Sequence, residues 1–173
     1  MALRSLRSAV LYTSRAATFL LISLPRMHLV PLRSYRVIDM KQPQLWYPSA
    51  RRIKRKIIAH IGPTNSGKTY AALESLKAST RGVYCGPLRL LAWEVHKTLL
   101  ESGLLCSLVT GQELALEDNS THTSCTVEMC DINAKYDCAV IDEFQLIGDE
   151  DRGWAWSRAF LGLQANEIHV CGN

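Results

Sequence analysis

The chain has 173 residues, 47% hydrophobic and 21% charged, with a formal net charge of +4. That composition excludes a wholly disordered or low-complexity chain, and the length allows one ordinary domain and hardly two. Six cysteines, at positions 85, 106, 125, 130, 138 and 171, form no CxxC pair, so they argue against a zinc ribbon or disulfide framework and read as reduced, mostly buried thiols.

The charge is uneven. Residues 1–38 hold six arginines (Arg4, Arg7, Arg15, Arg26, Arg33, Arg36) and no Asp or Glu, and so carry +6. From Ile57 onward 8 basic residues stand against 15 acidic ones, a net −7. The basic excess therefore belongs to the N-terminal segment and not to a nucleic-acid surface. This segment is Arg-rich and acid-free, contains serines, and places Leu3, Leu6 and Val10 together on a helical wheel. It has the composition of an organelle transit peptide, mitochondrial in first place, with the plastid less well separated. A secretory signal competes through the apolar run 16–24. Arginines continue past that run, no small-x-small cleavage site follows, and the run is too short to span a bilayer.

Residues 39–56 contain Pro43 and Pro48, show no helical period, and end in the run Arg51-Arg52-Ile53-Lys54-Arg55-Lys56. They read as a basic linker: 39–50 is an extended linker or a first packing segment, and 51–56 a solvated entry into a strand, with a phosphate-contacting or nuclear-targeting patch as the alternative. Residues 57–173 then alternate strand and helix. Strands are expected at 57–61, 82–85, 104–109, 123–127, 138–141 and 168–171, and helices at 68–78, 90–100 and 154–163. The unbroken apolar run 138–141 suits a strand buried on both faces. Such alternation predicts an α/β fold with a three-layer parallel sheet and helices on both faces.

The strongest chemistry falls where the first strand ends. Gly62-Pro63-Thr64-Asn65-Ser66-Gly67-Lys68-Thr69 matches GxxxxGK[ST] without deviation. A loop of this kind turns backbone N–H groups inward around a phosphate and adds the dipole of the following helix. Lys68 supplies a point charge to the β- and γ-phosphates, and the Thr69 hydroxyl is a Mg²⁺ ligand. The P-loop NTPase partner should be an acid at the end of a buried strand. Asp142-Glu143 meets that need 74 residues after Lys68, with Asp142 holding Mg²⁺ and Glu143 activating the attacking water. Asp149-Glu150-Asp151 reads as a cap for the helix near Trp154.

The residues around these two motifs resemble the mitochondrial degradosome RNA helicases, a branch of the superfamily 2 DExH/D-box helicases. The resemblance rests on GPTNSGKTY (62–70), GPLRLLAWEV (86–95), TGQE (110–113), TVEM (126–129), DEFQLIGDEDRGWAWSRAFLGL (142–163) and IHVCG (168–172), in helicase order. It implies a RecA-like ATP-binding domain over 57–173 that acts as the first lobe of an ATP-dependent RNA helicase. Asp142 and Glu143 resemble motif II, and Gln145 resembles the residue that couples motif II to the rest of the motor. Pro87, Leu88 and Arg89 look like motif Ia, while Thr110-Gly111 and Thr126 look like further backbone-contacting motifs. These would touch RNA phosphates and sugars without reading sequence. The resemblance further implies ATP and Mg²⁺ as ligands, a mitochondrial exoribonuclease as partner of the full-length protein, and no stable membrane association. Residues 171–173 fall within what resembles motif III, with Asn173 where the family would carry an acid. A second RecA-like domain with its arginine finger would then lie outside this chain, leaving a lobe that binds ATP with little turnover.

Two other readings stay open. A thymidine-kinase-like phosphotransferase also joins a P-loop to a DE-x-Q motif, but its paired CxxC ligands are missing here. A non-enzymatic nucleotide- or partner-binding module is the other. His60, His96 and His169 lack ligand-spaced partners and read as packing or capping groups. Trp93, Trp154 and Trp156 read as core or interface residues, and Cys125 with Cys130 lacks a second ligand pair, so no metal is assigned to it.

Overall fold

The computed structural model describes residues 45–63 and 66–173. The transit-peptide segment lies outside the described residues. The elements run α1 (Pro48–Arg51), β1 (Lys56–Ile61), α2 (Lys68–Ala78), β2 (Gly82–Gly86), α3 (Arg89–Glu101), β3 (Cys106–Val109), β4 (Leu114–Ala115), β5 (His122–Thr126), β6 (Lys135–Ile141), α4 (Gly153–Gly162) and β7 (Gln164–Gly172). Two short 3₁₀ turns, Val127–Met129 and Phe144–Gly148, follow β5 and β6.

One seven-stranded sheet has the order β1-β7-β6-β2-β5-β3-β4. Every pairing is parallel except β3 with β4, so the expected parallel sheet acquires one antiparallel edge. β4 escaped the sequence because two residues, both exposed, carry no alternation to detect.

Strand alternation divides the core between the two faces. Ala139 and Ile141 of β6, Val83 and Cys85 of β2, and Ile168 and Val170 of β7 pack with Trp156, Ala155 and Ala159 of α4. Cys138 and Val140, Tyr84 and Cys171 point the other way, onto Ala72 and Leu76 of α2 and Val95 and Leu99 of α3. In α3 the buried residues Ala92, Val95 and Leu99 recur at helical spacing, which is why one stripe suffices to seat it. At about 25 cal/mol per Å² of apolar area removed from water, wholly buried side chains such as Trp156, Leu76, Leu99 and Ile168 dominate the gain. Among the described residues no helix is long and apolar enough to cross a membrane.

Of the readings of 39–56, its described part fits a first packing segment leading into a strand and not an extended linker. Pro48 opens α1, where its missing N–H costs nothing. Ala50 is buried, and the Arg55 guanidinium donates to the Phe160 carbonyl at 2.8 Å, at the end of α4. Lys56 already belongs to β1. A four-residue helix is too short to show a period, and Arg55 is drawn in by unpaired helix carbonyls instead of staying in water. Of the tryptophans, Trp156 is core as expected, whereas Trp93 and Trp154 are exposed. All six cysteines are free and buried.

Candidate functional site

The parallel strands bring their C-terminal ends to one edge of the sheet, where Gly62, Gly86, Thr126, Asp142 and Gly172 end or follow β1, β2, β5, β6 and β7. Open α/β sheets bind ligands in this position. The 62–69 loop joins β1 to α2 there. Gly67 caps α2 with φ +79°, a left-handed conformation that a Cβ would strain. Thr64 and Asn65 lie outside the described residues, and Ser66 is exposed on the loop. The Lys68 ammonium donates to the Gly62 carbonyl, to the Pro63 carbonyl at 2.6 Å and to Asn173 Oδ1 at 3.1 Å. Its charge rests on the loop's own oxygens and on Asn173.

Asp142 follows the buried end of β6 and is itself buried. It accepts hydrogen bonds from the Tyr84 hydroxyl at 2.9 Å, from the Glu143 N–H at 3.0 Å, and from the Thr69 hydroxyl at 3.3 and 3.4 Å on its two oxygens. Burial pushes its carboxyl above the ordinary range, while the bonds from Tyr84, the Glu143 N–H and Thr69 pull the other way. The Tyr84 hydroxyl is pushed far up, first by burial and then by the Asp142 charge, so it stays a donor. Thr69 and Asp142 together offer hard oxygen donors of the kind Mg²⁺ takes, so the residues present fit that ion.

Glu143 turns sharply, with φ +50°, unusual for a residue with a side chain. Its carboxylate accepts a hydrogen bond from the Gln145 amide, and Gln145 Oε1 accepts the Asn173 N–H at 3.3 Å. A Cβ on Gly172 would come within 2.9 Å of Gln145 Oε1, so a glycine there lets β7 approach this side chain. Gln145 thus stands between the Asp142-Glu143 pair and the end of β7. Asp149 Oδ1 accepts the N–H groups of Asp151 at 3.0 Å and Arg152 at 2.7 Å, closing the turn that leads into α4.

A second concavity of about 500 Å³ opens farther along the same edge, lined among others by Pro87, Arg89, Gly111, Gln112, Thr126 and Arg152. Five of the six residues expected to contact RNA, Leu88 among them, therefore line one concavity. Thr110 does not. It is buried, and its hydroxyl oxygen accepts the Glu113 N–H at 2.9 Å, which fixes the 110–113 turn.

Three residues at this edge were missed in the sequence. The Arg152 guanidinium donates to the Pro87 carbonyl at 2.7 Å, pairs with Glu128 at 2.7 Å, and lies 5.4 Å from the Trp156 ring centre. Trp156 in turn donates its indole N–H to the Asp142 carbonyl at 2.9 Å. Tyr84 is the third. A tyrosine in a fully buried strand must find a partner for its hydroxyl, and that was the available signal. Arg152 gave none, because a single arginine after three acids looks like surface charge. Two of the three histidines pack together: His60 Nε2 and His169 Nδ1 lie 2.8 Å apart with the rings stacked, and His169 Nε2 meets Glu167 at 2.7 Å.

A profile of the DEXQ-box helicase domain of Suv3 matches residues 43–173. The mitochondrial DExH-box ATP-dependent RNA helicase DExH16 of Arabidopsis thaliana is 56% identical over 135 residues, 78% of this chain and 24% of its own length. The human mitochondrial ATP-dependent RNA helicase SUPV3L1 is 52% identical over 141 residues, 79% of this chain and 18% of its own length. The chain thus spans a quarter or less of the relatives it matches. Among solved structures, S. cerevisiae Dbp5 bound to RNA and ADP BeF3 superposes with a TM-score of 0.51 at 17% identity, covering 69% of this chain and 36% of that one. An arterivirus helicase, nonstructural protein 10, complexed with DNA, reaches 0.52 at 14% identity, covering 73% and 30%. At such identities the two structures speak to the fold, which is that of a RecA-like helicase lobe.

Proposed function

We infer the function of this chain from its kinship: it belongs to the Suv3-type DEXQ-box helicases, and its relatives carry mitochondrial names. That membership replaces the thymidine-kinase-like alternative. The chain is read as the ATP-binding lobe of a mitochondrial ATP-dependent RNA helicase. The observation that carries this is the convergence of Lys68, Thr69 and Asp142 at the sheet edge, with the Thr69 hydroxyl 3.3 Å from the Asp142 carboxylate.

In this reading the 62–69 backbone receives the β-phosphate, and Lys68 leaves the Gly62 and Pro63 carbonyls for the phosphate oxygens. Thr69 and Asp142 would hold Mg²⁺, which neutralises charge on the phosphates. Glu143, oriented by the Gln145 amide, accepts the proton of the attacking water. Pro87, Arg89, Gly111 and Thr126 form the wall along which an RNA backbone lies, without base readout. A mitochondrial exoribonuclease as partner of the full-length protein belongs to the same reading.

Ligand-induced stabilisation tests it. A non-hydrolysable ATP analogue with Mg²⁺, at a hundred times its Kd, should stabilise the chain by about 2.7 kcal/mol. Lys68→Ala should abolish the shift. No shift for the wild-type chain, or an equal one in Lys68→Ala, would overturn the assignment.

A further inference from the structure

Three thiols, Cys125 and Cys130 close in sequence and Cys85 forty residues before Cys125, meet in the core. Cys85 of β2 sits opposite Cys125 of β5 in the parallel register, and Cys130 follows the Val127–Met129 turn. Their sulfurs all lie within 4.8 Å of one another, the Cys125 thiol 3.9 Å from Cys85 Sγ. None of the three is more than 1% exposed. Cys106, Cys138 and Cys171 pack on the opposite face of the sheet.

The trio is chemically uneven. Hydrogen bonds from Cys125 and Cys85, helped by the Arg158 charge, hold the Cys130 thiol well below its ordinary range against its burial. Hydrogen bonds with Cys125 and Cys130, and burial, push Cys85 well above its range; the bond with Cys130, and burial, push Cys125 up against the bond with Cys85. Three thiols gathered in one buried cluster offer soft donors that a single soft cation can share.

We propose that Cys85, Cys125 and Cys130 form a three-sulfur site for a soft monovalent cation, Cu(I). An ion about 2.3 Å from each of three coplanar sulfurs sets them about 4.0 Å apart, beside the 3.9 Å between Cys85 and Cys125. Zn²⁺ completes a tetrahedron, and among the described residues no fourth His, Cys, Asp or Glu joins the group. Thiolate ligands select Cu(I), which is content with three donors. Binding sends the thiol protons of the trio to solvent, so affinity rises with pH. The three thiolates and Cu(I) carry a net −2 that Arg158 offsets in part. A bound ion would pin the ends of β2 and β5 to the turn carrying Glu128, which lines the groove. The site stands independently of the helicase reading.

The test uses the purified chain under anaerobic, thiol-free reducing conditions, titrated with Cu(I) against a chromophoric Cu(I) chelator. One equivalent should be retained, with near-ultraviolet thiolate-to-copper absorption and an X-ray absorption spectrum fitted by three sulfurs at about 2.3 Å. Cys85→Ser, Cys125→Ser and Cys130→Ser should each weaken retention at least tenfold, while Cys106→Ser leaves it unchanged. Loss of all copper to the chelator from the wild-type chain, or coordination by fewer than three sulfurs, would overturn the proposal even where a serine variant fails to fold. Equal retention in the folded Cys85→Ser chain would do so too.

Discussion

Truncating Arg152 to alanine removes three contacts at once: the 2.7 Å bond to the Pro87 carbonyl, the pair with Glu128, and the approach to the Trp156 ring. Their sizes differ. The side chains of Arg152 and Glu128 remain 41% and 28% exposed, so solvent screens the ion pair to about 0.5 kcal/mol. The cation over the indole adds about 0.5 kcal/mol at such exposure. A charge-assisted bond to a carbonyl contributes about 1.5 kcal/mol. Because one side chain makes all three contacts, they do not add strictly, and a loss of about 2 kcal/mol is expected. For a domain of this size each kcal/mol moves Tm by roughly 3–4 °C, so Arg152→Ala should melt about 7 °C lower by circular dichroism. Arg152→Lys keeps a cation but not the planar fork that serves Pro87 and Glu128 together, and should fall between. In a double-mutant cycle with Glu128→Ala, a coupling of about 0.5 kcal/mol is expected. A Tm for Arg152→Ala within a degree of wild type would refute the reasoning.

Gly67→Ala places a Cβ on backbone at φ +79° with no neighbour within 4 Å, so its cost is conformational alone, about 1–2 kcal/mol. Urea denaturation should register it, with weakened nucleotide-induced stabilisation; an unchanged midpoint would mean the loop does not hold that conformation. For Asp142, whose folded pKa is raised by burial, stability from this carboxyl is full below the ordinary range, near pH 4, and is lost as pH rises through the raised value. Asp142→Asn removes the buried charge and keeps an acceptor for Tyr84. Its urea midpoint should exceed wild type at neutral pH, with a gap that closes toward acid, and stabilisation by the Mg²⁺–ATP analogue should disappear. A gap independent of pH would contradict the buried-charge account.

Most of the fold was legible because its signals are local. The period-two division of β6 into Ala139 and Ile141 against Cys138 and Val140 is written in an apolar run, and the buried stripe of α3 in spacings of three and four. The loop at 62–69 and the pair at 142–143 stood out because their residue types recur at a spacing that phosphate chemistry would need, and the structure brings Thr69 within 3.3 Å of Asp142. What stayed hidden depends on contacts distant in sequence. Arg55 enters the fold only because α4 ends 105 residues later with carbonyls to satisfy. Thr110 matched a nucleic-acid-facing pattern, yet its hydroxyl is spent on its own turn. The cysteine trio needs Cys85, forty residues from Cys125, and no local spacing announces it.

The two concavities are joined by one helix. Asp142 must be held by donors because its burial works against its charge, and those donors come from different layers: Tyr84 from β2, Thr69 from α2, and the N–H of Glu143 from the turn after β6. The Asp142 carbonyl is then gripped from α4 by the Trp156 indole. At the head of the same helix Arg152 holds the Pro87 carbonyl and Glu128 on the groove wall. Trp156 is wholly buried and packed in the core, so it has little freedom to move without α4. A change in where Asp142 sits, such as a phosphate-bound ion would bring, therefore bears on α4 through the indole. The groove then responds through Arg152, less than two turns away on one rigid rod. On the proposed reading, the Arg152→Lys chain, with its cation kept and its fork lost, should bind the Mg²⁺–ATP analogue normally while losing any nucleotide-dependent change in RNA affinity that the wild-type chain shows; an unaltered change would sever the indole–guanidinium link.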